Sequence, residues 1–174
     1  MELIIRRGNV LDAQAEALVF AVDGSAKGME GNVGRQFVQR WGDEWDEIVK
    51  QLGFPIPLGM AAYAKTESPV PFRFIFAASI LDHMNKVEGV RMPAVLRSAL
   101  HEVCRMSQTL RLNSLACPLL KGGWRMNVAD SFRVMVEVAD NFIRYQATLE
   151  LYSLHQAELD LLCSLAPSYG IRVL

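Results

Sequence analysis

Ala17-Leu18-Val19-Phe20-Ala21-Val22, closed by Asp23-Gly24, is the stretch on which the fold turns. An unbroken apolar run of this length reads as a strand, and its lack of polar alternation places both of its faces in a core. Such strands belong to largely parallel sheets covered by helices on both sides.

The flanking segments fit that reading. Leu3–Arg6 is a short β-prone run that ends at the turn pair Gly8-Asn9. Val33, Phe37, Trp41, Trp45 and Ile48 or Val49 recur at helical spacing, the apolar stripe of an amphipathic helix. Pro55 and Pro57 break that helix before strands at Met60–Lys65 and Arg73–Ala78. Val90–Leu110 reads as a helix with Val95, Leu96, Leu100 and Val103 inward, and Asn113–Cys117 as a strand stopped by Pro118. Asn127 stands as the N-cap of a helix to about Tyr145, lined by Val128, Phe132, Met135, Val136, Ala139 and Phe142. Thr148–Leu154 reads as a strand, His155–Leu165 as a helix and Ile171–Leu174 as a last strand. Alternation of this kind predicts a three-layer α/β fold, with residues 1–174 as a single domain.

The composition narrows the function classes. Eighteen Lys and Arg against 19 Asp and Glu leave a net charge of −1, so the electrostatic footprint of a dedicated nucleic-acid binder is missing. With 51% hydrophobic residues the chain is apolar enough to order itself. No apolar run reaches the roughly 18 residues of a membrane span. Met1–Arg7 is too short and too soon charged for a signal peptide, and a cytoplasmic location is expected. Cys104, Cys117 and Cys163 are too scattered for a zinc site and odd in number, which excludes a complete disulfide framework; they read as core residues. No metal or cofactor is expected.

In an open α/β sheet, ligands bind beyond the carboxyl ends of the strands. Three loops stand there: Gly8-Asn9-Val10, Asp23–Val33 and Pro118–Met126. Two of them contain glycines and lead into helices, at Gly31–Gly34 and Gly122–Asn127, where free N–H groups suit a phosphate or pyrophosphate. The same glycines also satisfy a turn with no ligand at all. His101 and Cys104 lie one helical turn apart and could face each other as a base and nucleophile; core or surface roles are the simpler reading. Trp41 and Trp45 read as core or subunit contacts, and Trp124 as either a cover for a ligand or a plug for an empty cleft.

The order of these segments resembles macro domains. Gly8-Asn9-Val10 followed by Glu16–Asp23 is similar to that family's Gly-Asp-Ile/Val and Asp-Ala-Ile-Val-Asn-Ala-Ala-Asn. Gly31-Asn32-Val33-Gly34 resembles the end of its glycine-rich loop, and Pro57-Leu58-Gly59-Met60-Ala61 its Pro-x-Gly-x-Ala. Ser114-Leu115-Ala116-Cys117-Pro118-Leu119-Leu120-Lys121-Gly122-Gly123 resembles Ser-Ile-Ala-Phe-Pro-x-Ile-Ser-Thr-Gly. The likeness runs over about residues 1–165.

The resemblance implies a three-layer α/β/α sandwich with a mixed, mostly parallel sheet of about six strands. It also implies a cleft for an ADP-ribose-type small molecule or an ADP-ribosylated protein. Asn9, with Val10 beside it, would take the adenine amino group. Gly31, Asn32 and Val33 would wrap the pyrophosphate together with Lys121, Gly122, Gly123 and Trp124, in a cleft whose last loop runs from Leu120 to Arg125. Asp23 would face the distal ribose, and Arg125 would stand where the family has an aromatic residue. The departures are equally specific. Met29 and Glu30 occupy glycine positions, Met126 replaces a glycine, and Gly34 stands where hydrolase members carry Asp. Three functions follow: a binder of ADP-ribose or a related nucleotide metabolite without efficient catalysis; an interaction or assembly module whose cleft is filled by Met29, Trp124 and Met126; and a hydrolase with Asp23 as its base. Neither nucleic acid nor membrane is an expected partner, and self-association stays open.

Overall fold

In the computed structural model, which describes residues 1–25, 31–82, 92–122 and 125–174, a seven-stranded sheet runs in the order β3-β4-β2-β5-β6-β1-β7. The strands are β1 (Glu2–Arg7), β2 (Ala17–Asp23), β3 (Ala61–Lys65), β4 (Phe74–Leu81), β5 (Ser114–Pro118), β6 (Thr148–Ser153) and β7 (Arg172–Val173). The helices are α1 (Asn32–Leu52), α2 (Met92–Thr109), α3 (Val128–Asn141) and α4 (Gln156–Leu165). Only β3 runs antiparallel to its neighbour; the other pairings are parallel. The expected mixed, mostly parallel sheet is therefore present, with seven strands where the resemblance implies about six, and the two-residue β7 falls within Ile171–Leu174, the last strand read from the sequence.

β2 shows why its sequence carries no alternation. Ala17 and Val19 pack into the apolar cluster that holds α2, α3 and α4. Leu18, Phe20 and Val22 point to the other face and join the cluster built on α1 through Phe37, Ile48 and Leu52. Period-two side-chain direction splits one apolar run between two cores. β4 divides in the same way, with Phe74, Phe76, Ala78 and Ile80 on the first face and Ile75 and Ala77 on the second.

The helices differ from expectation in two places. α1 carries a non-helical residue at Trp41 (φ −139°, ψ 44°), which kinks it while Phe37, Trp41 and Trp45 stay in ring contact at centroid distances of 5.1 and 6.2 Å. α3 begins at the expected cap, where Asn127 Oδ1 accepts from Asp130 N at 2.7 Å. It stops at Asn141 instead of about Tyr145. The Tyr145 hydroxyl donates to the carbonyls of Ser107 and Leu112, so it anchors the chain to the end of α2.

His101 and Cys104 do not form a pair. Cys104 is fully buried in the core, whereas His101 is exposed and rests on the Phe142 ring at 5.0 Å. Burial pushes the Cys104 thiol up to about 12, so it is no nucleophile. No helix among the described residues is long and apolar enough to cross a membrane.

Candidate functional site

Because β1, β2, β5 and β6 are parallel, their carboxyl ends leave the sheet along one edge. The segments that follow them enclose a cleft of about 460 Å³. This is the edge where α/β sheets hold ligands.

The segment after β1 forms one part of the lining. Gly8 adopts φ +145° and donates its N–H to the Ser153 carbonyl at 3.1 Å, which ties the ends of β1 and β6 together. Asn9 then caps a single 3-10 turn, Val10–Asp12, through a bond from Leu11 N to its Oδ1 at 3.0 Å. Its Nδ2 donates to Gln36 Oε1 at 2.9 Å. The oxygen that the resemblance sets against an adenine amino group thus accepts one bond from the backbone and keeps a second lone pair.

The start of α1 forms a second part. Gly31 is the N-cap, has no side chain to satisfy the first turn, and is followed by no acidic residue there. Gly31, Asn32, Val33 and Gly34 all line the cleft. The free amides of such a turn carry partial positive charge, a setting for an anionic group.

The third part follows β5. Leu120, Lys121 and Gly122 line the cleft. Gly122 sits at φ +62°, and a Cβ there would lie 2.8 Å from Met92 Cε, so both conformation and space call for glycine. Lys121 Nζ is ion-paired with Glu158, whose other oxygen accepts from Ser153 Oγ at 2.8 Å. The described lining therefore holds one ammonium and one carboxylate already joined, and its charge is balanced.

Eight of the expected site residues meet in this cleft: Asn9, Val10, Gly31, Asn32, Val33, Leu120, Lys121 and Gly122. Asp23 and Arg125 are not among its described lining residues. Asp23 is buried at the end of β2, where its Oδ1 accepts from Ser25 N at 2.9 Å and Ser25 Oγ at 2.6 Å. Met126, expected as a filler of the cleft, is buried instead in the core that holds α3. Gly123 and Trp124 lie outside the described residues, as do Met29, Glu30 and the first residues of the predicted helix at Val90.

Gln36, Tyr152, Ser153, His155 and Glu158 belong to the lining and were not anticipated. Two signals point to them. Gln36 lies one helical turn beyond Asn32 and Val33, on the same face of α1. The others follow β6, a strand whose carboxyl end obeys the same edge rule as β2 and β5. Burial, then the hydrogen bond to Glu150 and its charge, push the Tyr152 hydroxyl up to about 12. That hydroxyl donates to Glu150 Oε2 at 2.8 Å, and Arg6 Nε donates to the same oxygen at 2.9 Å. Among the described residues, no three His, Cys, Asp or Glu side chains gather to hold a metal.

No family model and no curated protein matches the sequence. Solved structures do match in shape. The macrodomain of Thermus aquaticus DarG is 24% identical, with 87% of this chain and 97% of that one covered at a TM-score of 0.70. The macro domain of ganglioside induced differentiation associated protein 2 is 15% identical, with 97% and 84% covered at 0.78. An Oceanobacillus iheyensis macrodomain mutant with ADPR (ADP-ribose) is 12% identical, with 92% and 89% covered at 0.70. The seven-stranded sheet, its helix layers and these likenesses agree: the chain has the macro-domain fold, in a divergent sequence.

Proposed function

We propose that residues 1–174 act as one macro-like domain that binds ADP-ribose or a related nucleotide metabolite, free or on a modified protein, without efficient catalysis. One observation carries this reading: the uncapped first turn of α1 and the Gly122 loop line the same cleft. Backbone amides on both segments suit a diphosphate, and the bound ADPR in a solved structure of the same fold supports the ligand class. Phe20, Val10 and Tyr152 supply apolar and aromatic lining for the rest of a nucleotide.

Asp23 is buried, lies outside the described lining of the cleft and has its Oδ1 engaged by Ser25, and this favours binding over hydrolysis, because a general base must reach the reacting water. The core position of Met126 weighs against the filled-cleft assembly module.

Thermal denaturation with added ligand tests the reading. At about a hundredfold excess over Kd, a one-site ligand adds about 2.7 kcal/mol of stability, and Tm rises by several degrees. Absence of any shift with millimolar ADP-ribose or a related nucleoside diphosphate sugar overturns it.

A further inference from the structure

β3 closes one edge of the sheet, with β4 as its single neighbour. Thr66 N donates to the Arg73 carbonyl at 3.0 Å, and Ser79 N to the Met60 carbonyl at 2.9 Å. In an antiparallel ladder every second residue bonds to the facing strand, so Ala62 and Ala64, between these two pairs, also turn their amides towards β4. Ala61, Tyr63 and Lys65 turn theirs outward, the row of groups that an edge strand offers to a further strand.

That row is filled at one end. From the last turn of α1, Gln51 Oε1 accepts from Lys65 N at 2.9 Å, and Gln51 Nε2 donates to the Lys65 carbonyl at 3.2 Å. A carboxamide carries the donor and the acceptor of a peptide group. This side chain therefore makes both bonds that a residue of an adjoining strand would make. Among the described residues, no hydrogen bond reaches the outward groups of Ala61 and Tyr63, and both Met60 and Tyr63 are exposed there.

The strand best suited to this edge is its own copy. A two-fold axis perpendicular to the sheet sets an edge strand antiparallel to itself, so that each outward N–H meets a carbonyl. With the axis at Ala64, Tyr63 of one copy exchanges bonds with Lys65 of the other. With the axis at Ala62, Tyr63 exchanges them with Ala61, and Lys65 faces Gly59 of the second copy. Gln51 obstructs both arrangements. It holds the Lys65 groups needed in the first and fills the space between Lys65 and Gly59 in the second.

We infer that Gln51 guards the β3 edge: its carboxamide stands in for the next strand and keeps two copies of the chain from pairing there. The inference goes beyond the nucleotide reading, since no residue of β3 is among the described lining of the cleft.

Sedimentation of the full chain over a range of concentrations tests it. Wild type should keep one mass throughout, whereas Gln51→Ala should approach the mass of two copies as concentration rises. Adding Lys65→Pro to Gln51→Ala removes the freed N–H, and proline is tolerated where an edge N–H faces outward. The double variant should therefore return to the wild-type mass. Gln51 and Lys65 are both exposed, and melting curves confirm that each variant folds. A Gln51→Ala mass equal to wild type at every concentration overturns the inference. So does a doubled mass that Lys65→Pro leaves unchanged, or a wild type that already doubles and is dispersed by Lys65→Pro.

Discussion

Lys121 and Glu158 are ion-paired within the cleft, one following β5 and the other on α4. The pair is mostly withdrawn from solvent, with side-chain exposures of 30% and 11%. Glu158 therefore holds the described ammonium of the lining and cancels its charge.

That arrangement predicts an unusual direction of effect. Glu158→Gln should tighten the binding of an anionic nucleotide about three- to tenfold, because it releases Lys121 to the ligand. Lys121→Met should weaken binding by a similar factor. Titration at low and high salt checks both, and the gain in Glu158→Gln should shrink as salt screens it. Weaker binding in Glu158→Gln would show that the carboxylate itself holds the ligand.

Gly24 and Gly31 look alike in the sequence and should behave oppositely. A Cβ on Gly24 would sit 1.9 Å from the Ile56 carbonyl oxygen and 2.1 Å from Ser79 Oγ. Gly24→Ala is expected to cost about 3 kcal/mol or more, a fall in Tm of roughly 6–12 °C. None of the described residues lies within 4 Å of a Cβ on Gly31, so Gly31→Ala should cost under about 1 kcal/mol. Melting curves of the two variants decide the contrast.

The cysteines should separate by burial. Cys104 and Cys117 are buried, and burial pushes both thiols up, Cys104 to about 12. Cys163 is only partly covered. An aromatic disulfide reagent at about pH 8 should modify Cys163 in the native protein and reach the other two only on unfolding. Rapid native modification of Cys104 would contradict its placement in the core.

Glu16 should make stability depend on pH. Its carboxylate accepts from the backbone and side chain of Asn113 and pairs with Arg73, and these contacts, the Asn113 backbone bond foremost, lower its pKa. A depressed folded-state pKa gives stability that is present above the unfolded value and lost as pH falls through the folded one. Denaturant titrations at neutral pH and at about pH 3 should show wild type and Glu16→Gln converging on acidification. A constant gap between them would remove Glu16 from the acid response.

Several features were legible in the residues because they depend on neighbours in the chain. The unbroken run Ala17–Val22 specified a strand buried on both faces, and the side-chain oxygen of Asn127 specified where α3 begins. The loops at the carboxyl ends of β1, β2 and β5 followed from strand–helix alternation, and the cleft lies among them. The turn of Asp23 towards Ser25 was not legible, although only two residues separate them, because an end-of-strand carboxylate can aim at a ligand or at its own backbone.

The sequence by itself determined the layers, the strand order of appearance and the candidate loops, since periodicity and capping are local properties of the chain. The tertiary structure alone decided which side chains meet. Lys121 and Glu158 stand 37 residues apart, and Asn9 and Gln36 stand 27 apart. They become partners only because the sheet sets β5, β6 and β1 side by side and parallel, with α1 packed against β2. No local pattern encodes a pairing that depends on strand order, so the charge balance of the cleft and the orientation of its amides emerge only in the folded molecule.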